Sequence, residues 1–186
     1  PKDRFTGRSG NLNLLVVGGS LGAMALNTVV PEALSLIPES ERPDVVHQSG
    51  EKHVADLQER YRNLGVKAEV VPFIENMASA YTKADVVICR AGAMTIAELS
   101  AGGVASCLVP FPHAVDDHQT SNARFLQQAG AAKLMPQSDM TANKLADWIK
   151  SLNREELTEM ANRALNCAKP MATARVAAIC KELVSA

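Results

Sequence analysis

The stretch Leu14-Leu-Val-Val-Gly-Gly-Ser-Leu-Gly-Ala23 decides the fold. Four apolar residues run into Gly18, Gly19, Ser20 and Gly22, and an Ala-rich helical pattern follows at once. This is the pattern of a buried strand, a tight glycine turn and a helix start. The first turn of a helix carries unpaired backbone N–H groups and the positive end of the helix dipole, so it attracts phosphate. The stretch therefore predicts a site for a phosphorylated ligand, most simply a nucleotide. It is not the dinucleotide fingerprint, because Gly-x-Gly-x-x-Gly is not met, and it is not a P-loop, because no Gly-Lys-Ser/Thr follows. The competing reading is a plain strand-to-helix turn with Ser20 as the N-cap.

Outward from this stretch, strand-like and helix-like segments alternate. Strands are expected at Leu12–Val17, Asp44–His47, Ala68–Val71, Asp85–Cys89, Ser106–Val109 and Ala132–Met135. Between them lie helical patterns at Ala23–Ile37, Lys52–Leu64, Asn76–Lys83 (with Asn76 as N-cap), Met94–Ala101 and His118–Ala129. After Pro136 the character changes, and Thr141–Ser151, Glu155–Ala168 and Met171–Val184 read as three helices in succession. Short strands alternating with helices imply an α/β fold, a doubly wound, mostly parallel six-stranded Rossmann-like sheet covered on both faces. The expected organisation is a polar linker or cut end over 1–11, a nucleotide-binding domain over 12–140, and C-terminal helices of the same domain over 141–186.

Composition narrows the class. The chain has 186 residues, 47% hydrophobic and 21% charged, which is ordinary for a globular domain. A net charge of −1 gives no electrostatic case for nucleic acid or anionic lipid. One Trp, two Tyr and four Phe argue against a base-stacking platform. Cys89, Cys107, Cys167 and Cys180 have neither metal-site nor redox spacing. Cys89 and Cys107 fall in apolar runs and are expected to be buried thiols, which fits a reducing cytoplasm. Neither a signal peptide nor an apolar run of membrane-spanning length is present in the sequence.

In such sheets ligands sit at the carboxyl ends of the strands, so the segments Gly18–Gly22, Gln48–Gly50, Pro72–Glu75, Arg90–Thr95 and Pro110–Gln119 should hold the chemistry. Arg90-Ala-Gly-Ala-Met-Thr-Ile-Ala-Glu98 is a second strand-to-helix turn, in which Gly92 supplies freedom and Thr95 a hydroxyl. Glu98 lies one helical turn beyond Thr95 and could accept hydrogen bonds from a ribose diol. Thr95-x-x-Glu98 equally matches a capping box, in which both side chains serve their own helix. Arg90 faces a diphosphate on one reading and a sheet-edge carboxylate on the other. Phe73-Ile74 could line a base pocket or simply pack. Gln119, at the start of a helix after a long polar loop, has donors and an acceptor suited to sugar hydroxyls. Asp116 or Asp117 reads as a helix cap rather than a metal ligand, and His113 as structural rather than catalytic. No metal and no cofactor is called for.

Taken together, Gly-Gly-Ser-x-Gly-Ala, His-Gln-Ser-Gly, Phe-Ile-x-x-Met, Cys-Arg-Ala-Gly-Ala-Met-Thr-Ile-x-Glu and Pro-Phe-Pro-His-x-x-Asp-Asp-His-Gln-x-x-Asn resemble the MurG family. These are the UDP-N-acetylglucosamine transferases of bacterial peptidoglycan synthesis, two-domain GT-B enzymes. The resemblance covers Leu12 to about Val184 and implies the C-terminal, donor-binding half. It places Ser20 and the Gly18–Gly22 turn at the diphosphate and the Ile74 backbone at uracil. It places Ala93, Met94 and Thr95 along the diphosphate and sugar, Glu98 at the ribose, and His118 and Gln119 at the N-acetylglucosamine. Some members have Gln-Gln where this chain has His118-Gln119, and an Arg that the family supplies from just before the domain has no match here. The implied reaction transfers N-acetylglucosamine from UDP to lipid I, with inversion and without a metal. The acceptor site, the membrane-contacting surface and the catalytic base then belong to an N-terminal half, to which the last helix would return. The implied enzyme is cytoplasmic and peripheral on the inner membrane face. The other readings are a different UDP-sugar transferase or epimerase of the same architecture, a non-catalytic nucleotide-binding module, and a purely structural domain.

Overall fold

The computed structural model describes residues 4–184. Six strands form one sheet: β1 (Asn13–Val17), β2 (Asp44–Gln48), β3 (Glu69–Val71), β4 (Val86–Cys89), β5 (Ser106–Leu108) and β6 (Ala132–Leu134). Their order is β3-β2-β1-β4-β5-β6, and every neighbouring pair is parallel. The α/β expectation holds, and the strands match to within one or two residues. The helices are α1 (Met24–Ser35), α2 (Val54–Asn63), α3 (Met77–Lys83), α4 (Ala93–Gly102), α5 (His118–Gln128), α6 (Ala142–Ser151), α7 (Arg154–Asn166) and α8 (Ala172–Val184). The charged segment read as one helix from Lys52 divides into a 3-10 turn at Glu51–His53 and α2.

The alternation of side chains along β1 builds two cores. Leu14 and Val16 point into one with Leu26, Val30 and Leu34 of α1, Leu57 of α2 and Leu145 and Ile149 of α6. Leu15 and Val17 point into the other with Tyr81 of α3, Leu99 of α4 and Ala123 and Leu126 of α5. Helix α7 contributes Leu157 to the first and Ala164 to the second. Each fully buried leucine contributes roughly 1.5–3 kcal/mol. Cys89 and Cys107 are buried in β4 and β5, as expected, and burial pushes the Cys107 thiol up to about 12.

The polar start of the chain is held against the amino ends of the strands. Arg4 donates from Nη1 to the Tyr81 and Ala84 carbonyls at 2.7 and 3.0 Å, and from Nε to the Gly103 carbonyl at 3.0 Å. Arg8 pairs with the fully buried Asp85 carboxylate. Arg154 reaches the same carboxylate at 3.3 Å, and the Asn13 backbone N–H donates to it at 2.9 Å.

Helix α8 contains no buried residue; Val176, Ile179 and Leu183, 61, 48 and 75% exposed, form an apolar stripe on it. No helix among the described residues is long and apolar enough to cross a membrane.

Candidate functional site

The chain leaves β1 towards β2 and β3, and leaves β4 towards β5 and β6. The loops after β1 and β4 therefore diverge, and a crevice opens at this reversal of strand order. Gly18, Gly19, Ser20 and Gly22 line one wall, and Arg90, Gly92 and Thr95 the other. Phe111, Gln119 and Gln137 complete it around a volume of about 490 Å³. That is the size of an ordinary small-molecule site.

The first wall is set by close backbone contact. Gly22 donates from its N–H to the Gly19 carbonyl at 2.9 Å, and its φ is +76°. A Cβ on Gly22 would lie 1.9 Å from the Ser49 carbonyl oxygen. The Asn27 amide donates to that oxygen at 3.0 Å, and Gln48 Nε2 donates to the Gly19 carbonyl at 3.4 Å. His47-Gln-Ser-Gly50, all buried, thus backs the glycine turn. The Ser20 N-cap reading is corrected: Ala23 is the N-cap of α1, and no side-chain capping bond forms there among the described residues. The first N–H groups of α1 remain available to a ligand.

The start of α4, which supplies the second wall, excludes the capping box. Helix α4 starts after Gly92, and its N-cap likewise carries no side-chain capping bond among the described residues. Thr95 is therefore the third helical residue and caps nothing. Glu98 turns sideways, and its Oε2 accepts a hydrogen bond from Tyr81 Oη at 3.0 Å. Gly92 has φ −63° and ψ 151°, which any residue adopts, so the freedom expected of it is not used. A Cβ there would meet only Thr95 Oγ1, at 3.7 Å.

Half-buried Arg90 pairs with no carboxylate among the described residues. It donates to the Val109 and Pro110 carbonyls, each at 3.1 Å, and to Gln137 Oε1 at 2.7 Å. Its guanidinium lies 5.4 Å from the Phe111 ring centroid, and burial pushes its pKa down. Gln119 is oriented by the backbone, because its Oε1 accepts from the Ala91 and Phe111 N–H groups at 3.2 and 3.0 Å. Its amide NH₂ is then the end turned to donate, so the dual donor–acceptor role read from its chemistry narrows to that of a donor. Gln137 escaped the sequence reading. It follows β6 as the other segments follow their strands, and extending that rule to the last strand finds it.

The remaining candidates lie around the crevice rather than on its walls. Ala93 and Met94 open α4 at its rim, where Met94 is 74% exposed. His118 opens α5 and is exposed. Ile74 packs against the second core and borders a neighbouring hollow of about 520 Å³ between β1–β3 and α3. That hollow is walled mainly by the sheet face, and Asn76 on its edge already accepts from Ser79 N–H at 2.9 Å, as the predicted N-cap of α3. Asp117 takes the N-cap position of α5 but makes no side-chain capping bond to its backbone; its Oδ1 accepts from Thr120 Oγ1 at 2.6 Å. Asp116 and Asp117 have φ of 51° and 50°, so the loop entering α5 carries local strain. His113 stacks edge-on against Phe111, with centroids 5.5 Å apart.

The sequence pattern of the glycosyltransferase family 28 C-terminal domain matches residues 13–181. A UDP-N-acetylglucosamine–N-acetylmuramyl-(pentapeptide) pyrophosphoryl-undecaprenol N-acetylglucosamine transferase of Polynucleobacter asymbioticus is 58% identical over 98% of this chain and 51% of its own length. The transferase of the same description from Burkholderia thailandensis is 57% identical over all of this chain and 52% of its own. The crystal structure of Acinetobacter baumannii MurG superposes with a TM-score of 0.90 at 45% identity, over 97% of this chain and 52% of that one. The glycosyltransferase VinC, crystallised with DTDP, shares the fold at a TM-score of 0.64 and 17% identity, over 90% of this chain and 39% of that one. The chain spans about half the length of the curated relatives it matches.

Proposed function

The chain belongs to the glycosyltransferase family 28 C-terminal domain family, and from that premise we propose that it is the UDP-N-acetylglucosamine-binding half of the transferase that converts lipid I to lipid II. The observation that carries this reading is the pair of uncapped helix starts, α1 and α4, facing one crevice at the reversal of strand order. The names of relatives 55–58% identical across nearly the whole chain supply the sugar and the acceptor.

In the proposed reaction the acceptor hydroxyl oxygen bonds to the anomeric carbon as the bond from that carbon to the UDP oxygen breaks, with inversion. The hydroxyl proton passes to a base in the upstream half, and UDP leaves carrying the electron pair. This chain's part is to stabilise the charge that grows on the diphosphate. The N–H groups at the starts of α1 and α4 act there without a metal, each helix end contributing roughly 0.3–1 kcal/mol, and up to about 2 when partly buried. Arg90 holds the loop after β5 in place, Gln119 donates to the sugar and Glu98 accepts from the ribose diol. The upstream half supplies the acceptor site and the contact with the inner face of the membrane, and the α8 stripe packs against that half.

Calorimetric titration tests the reading. UDP-N-acetylglucosamine should bind, and GDP- and TDP-sugars should bind at least about tenfold more weakly. Glu98→Ala should lower UDP affinity by about 10- to 100-fold with little change in stability. Equal binding of all three nucleotides, or transfer to lipid I by this chain alone, would contradict it.

A further inference from the structure

Neither Tyr81 nor Glu98 lines the crevice itself; Glu98 lies one helical turn beyond the lining Thr95, and Tyr81 makes the hydrogen bond that sets its direction. The two residues come from different helices, α3 and α4, so the contact depends on how α3 is fixed. Seven residues make a helix too short to be stable alone. Here it is fastened at both ends. Asn76 Oδ1 accepts from Ser79 N–H at its start, and Arg4 donates to the Tyr81 and Ala84 carbonyls at its close. The Tyr81 ring is sunk in the second core, with the residue 5% exposed. Its hydroxyl emerges 3.0 Å from Glu98 Oε2. Burial pushes the phenol pKa up, so the hydroxyl keeps its proton and donates.

A glutamate has three side-chain torsions, and a carboxylate that must find a diol loses that freedom on binding. Tyr81 removes part of the loss beforehand. It occupies one side of Oε2 and leaves Oε1 and the second lone pair of Oε2 as acceptors.

We propose that Tyr81 is a positioning residue for ribose recognition: its hydroxyl holds the Glu98 carboxylate in the orientation that accepts both hydroxyls of the vicinal diol. The proposal rests on the reading of Glu98 as the ribose ligand. It also gives the short α3 and its Arg4 fastening a functional consequence, because loosening either would loosen Glu98.

The test is the ratio of affinities for UDP and 2′-deoxy-UDP, measured by calorimetry on this chain. A general loss of folding lowers both affinities and leaves the ratio alone. The wild type should prefer UDP by about tenfold. Glu98→Ala should bring the ratio close to one. Tyr81→Phe, which removes only the hydroxyl, should reduce the ratio by about threefold. In the Glu98→Ala background, Tyr81→Phe should have no further effect on it. If Glu98→Ala leaves the ratio unchanged, the ribose reading itself falls. If Glu98→Ala collapses the ratio but Tyr81→Phe leaves it intact, the ribose reading stands and Tyr81 is only a tie between α3 and α4. A Tyr81→Phe effect on the ratio that persists without Glu98 would likewise overturn the proposal.

Discussion

The two ends of the sheet treat their polar groups in opposite ways. At the amino ends of the strands, Asp85 is fully buried and saturated by Arg8, Arg154 and the Asn13 backbone, and Arg4 takes up carbonyls of the chain around α3 and α4. At the carboxyl ends, α1 and α4 begin without side-chain caps among the described residues. Capping the first turn with Ser, Thr, Asp or Asn typically adds about 1 kcal/mol. Helices α1 and α4 forgo that and keep their donors facing a crevice, whereas α3 at the same edge is capped by Asn76. A buried carboxylate with all its partners marks the edge that holds the domain together, and two uncapped helix starts mark the edge proposed to bind.

The largest effect is expected where the binding edge is packed most tightly. Gly22→Ala puts a Cβ into the Ser49 carbonyl at a φ of +76°, so the turn must move. Stability should fall by more than about 3 kcal/mol and UDP binding should be lost. Normal binding by a folded Gly22→Ala protein would break the contrast between the edges.

At the opposite edge, Asp85→Ala leaves two guanidinium groups and a backbone N–H without their acceptor. Urea unfolding should show a loss of about 3 kcal/mol. The folded protein should bind UDP as before, and a parallel loss of affinity would show that the two edges are not separable.

His47 tests the layer beneath the binding edge. It is fully buried, its Nδ1 lies 2.8 Å from Tyr61 Oη, and burial pushes its pKa down to about 3. The unfolded histidine titrates near 6.5. Between these values the unfolded state holds the extra proton, so stability is full above pH 6.5 and is lost as pH falls towards 3. In that window the wild type should lose up to about 1.4 kcal/mol per pH unit relative to His47→Asn. Parallel stability curves would contradict it.

The smallest effect belongs to Gly19→Ala. Its φ is +87°, but nothing lies within 4 Å of the added Cβ. A cost of about 1 kcal/mol from backbone strain alone should separate it cleanly from Gly22→Ala in thermal unfolding.

The sheet and its helices were legible because Leu14–Val17 and Val86–Cys89 are buried on both faces and read as unbroken apolar runs. The glycine turn was legible for the same reason, since it directly follows such a run. What stayed hidden depends on partners distant in sequence. Asp85 read as the first residue of a strand, and only Arg8 and Arg154 from far along the chain make it a charged hub. Thr95-x-x-Glu98 has the spacing of a capping box and of a ligand grip alike. The start of α4 at Gly92 and a hydroxyl from another helix exclude the capping box, and local spacing carries no record of either.

The most direct measurement is amide NMR of the ¹⁵N-labelled chain during titration with UDP-N-acetylglucosamine. Amides of residues 18–25 and 92–95, at the glycine turn and the start of α4, should shift and saturate together, while those of residues 10–13 and 82–85 at the opposite edge stay in place. No shifts at the two helix starts, or shifts confined to residues 45–46 and 79–84 around the neighbouring hollow, would contradict the assignment of the crevice as the nucleotide-sugar site.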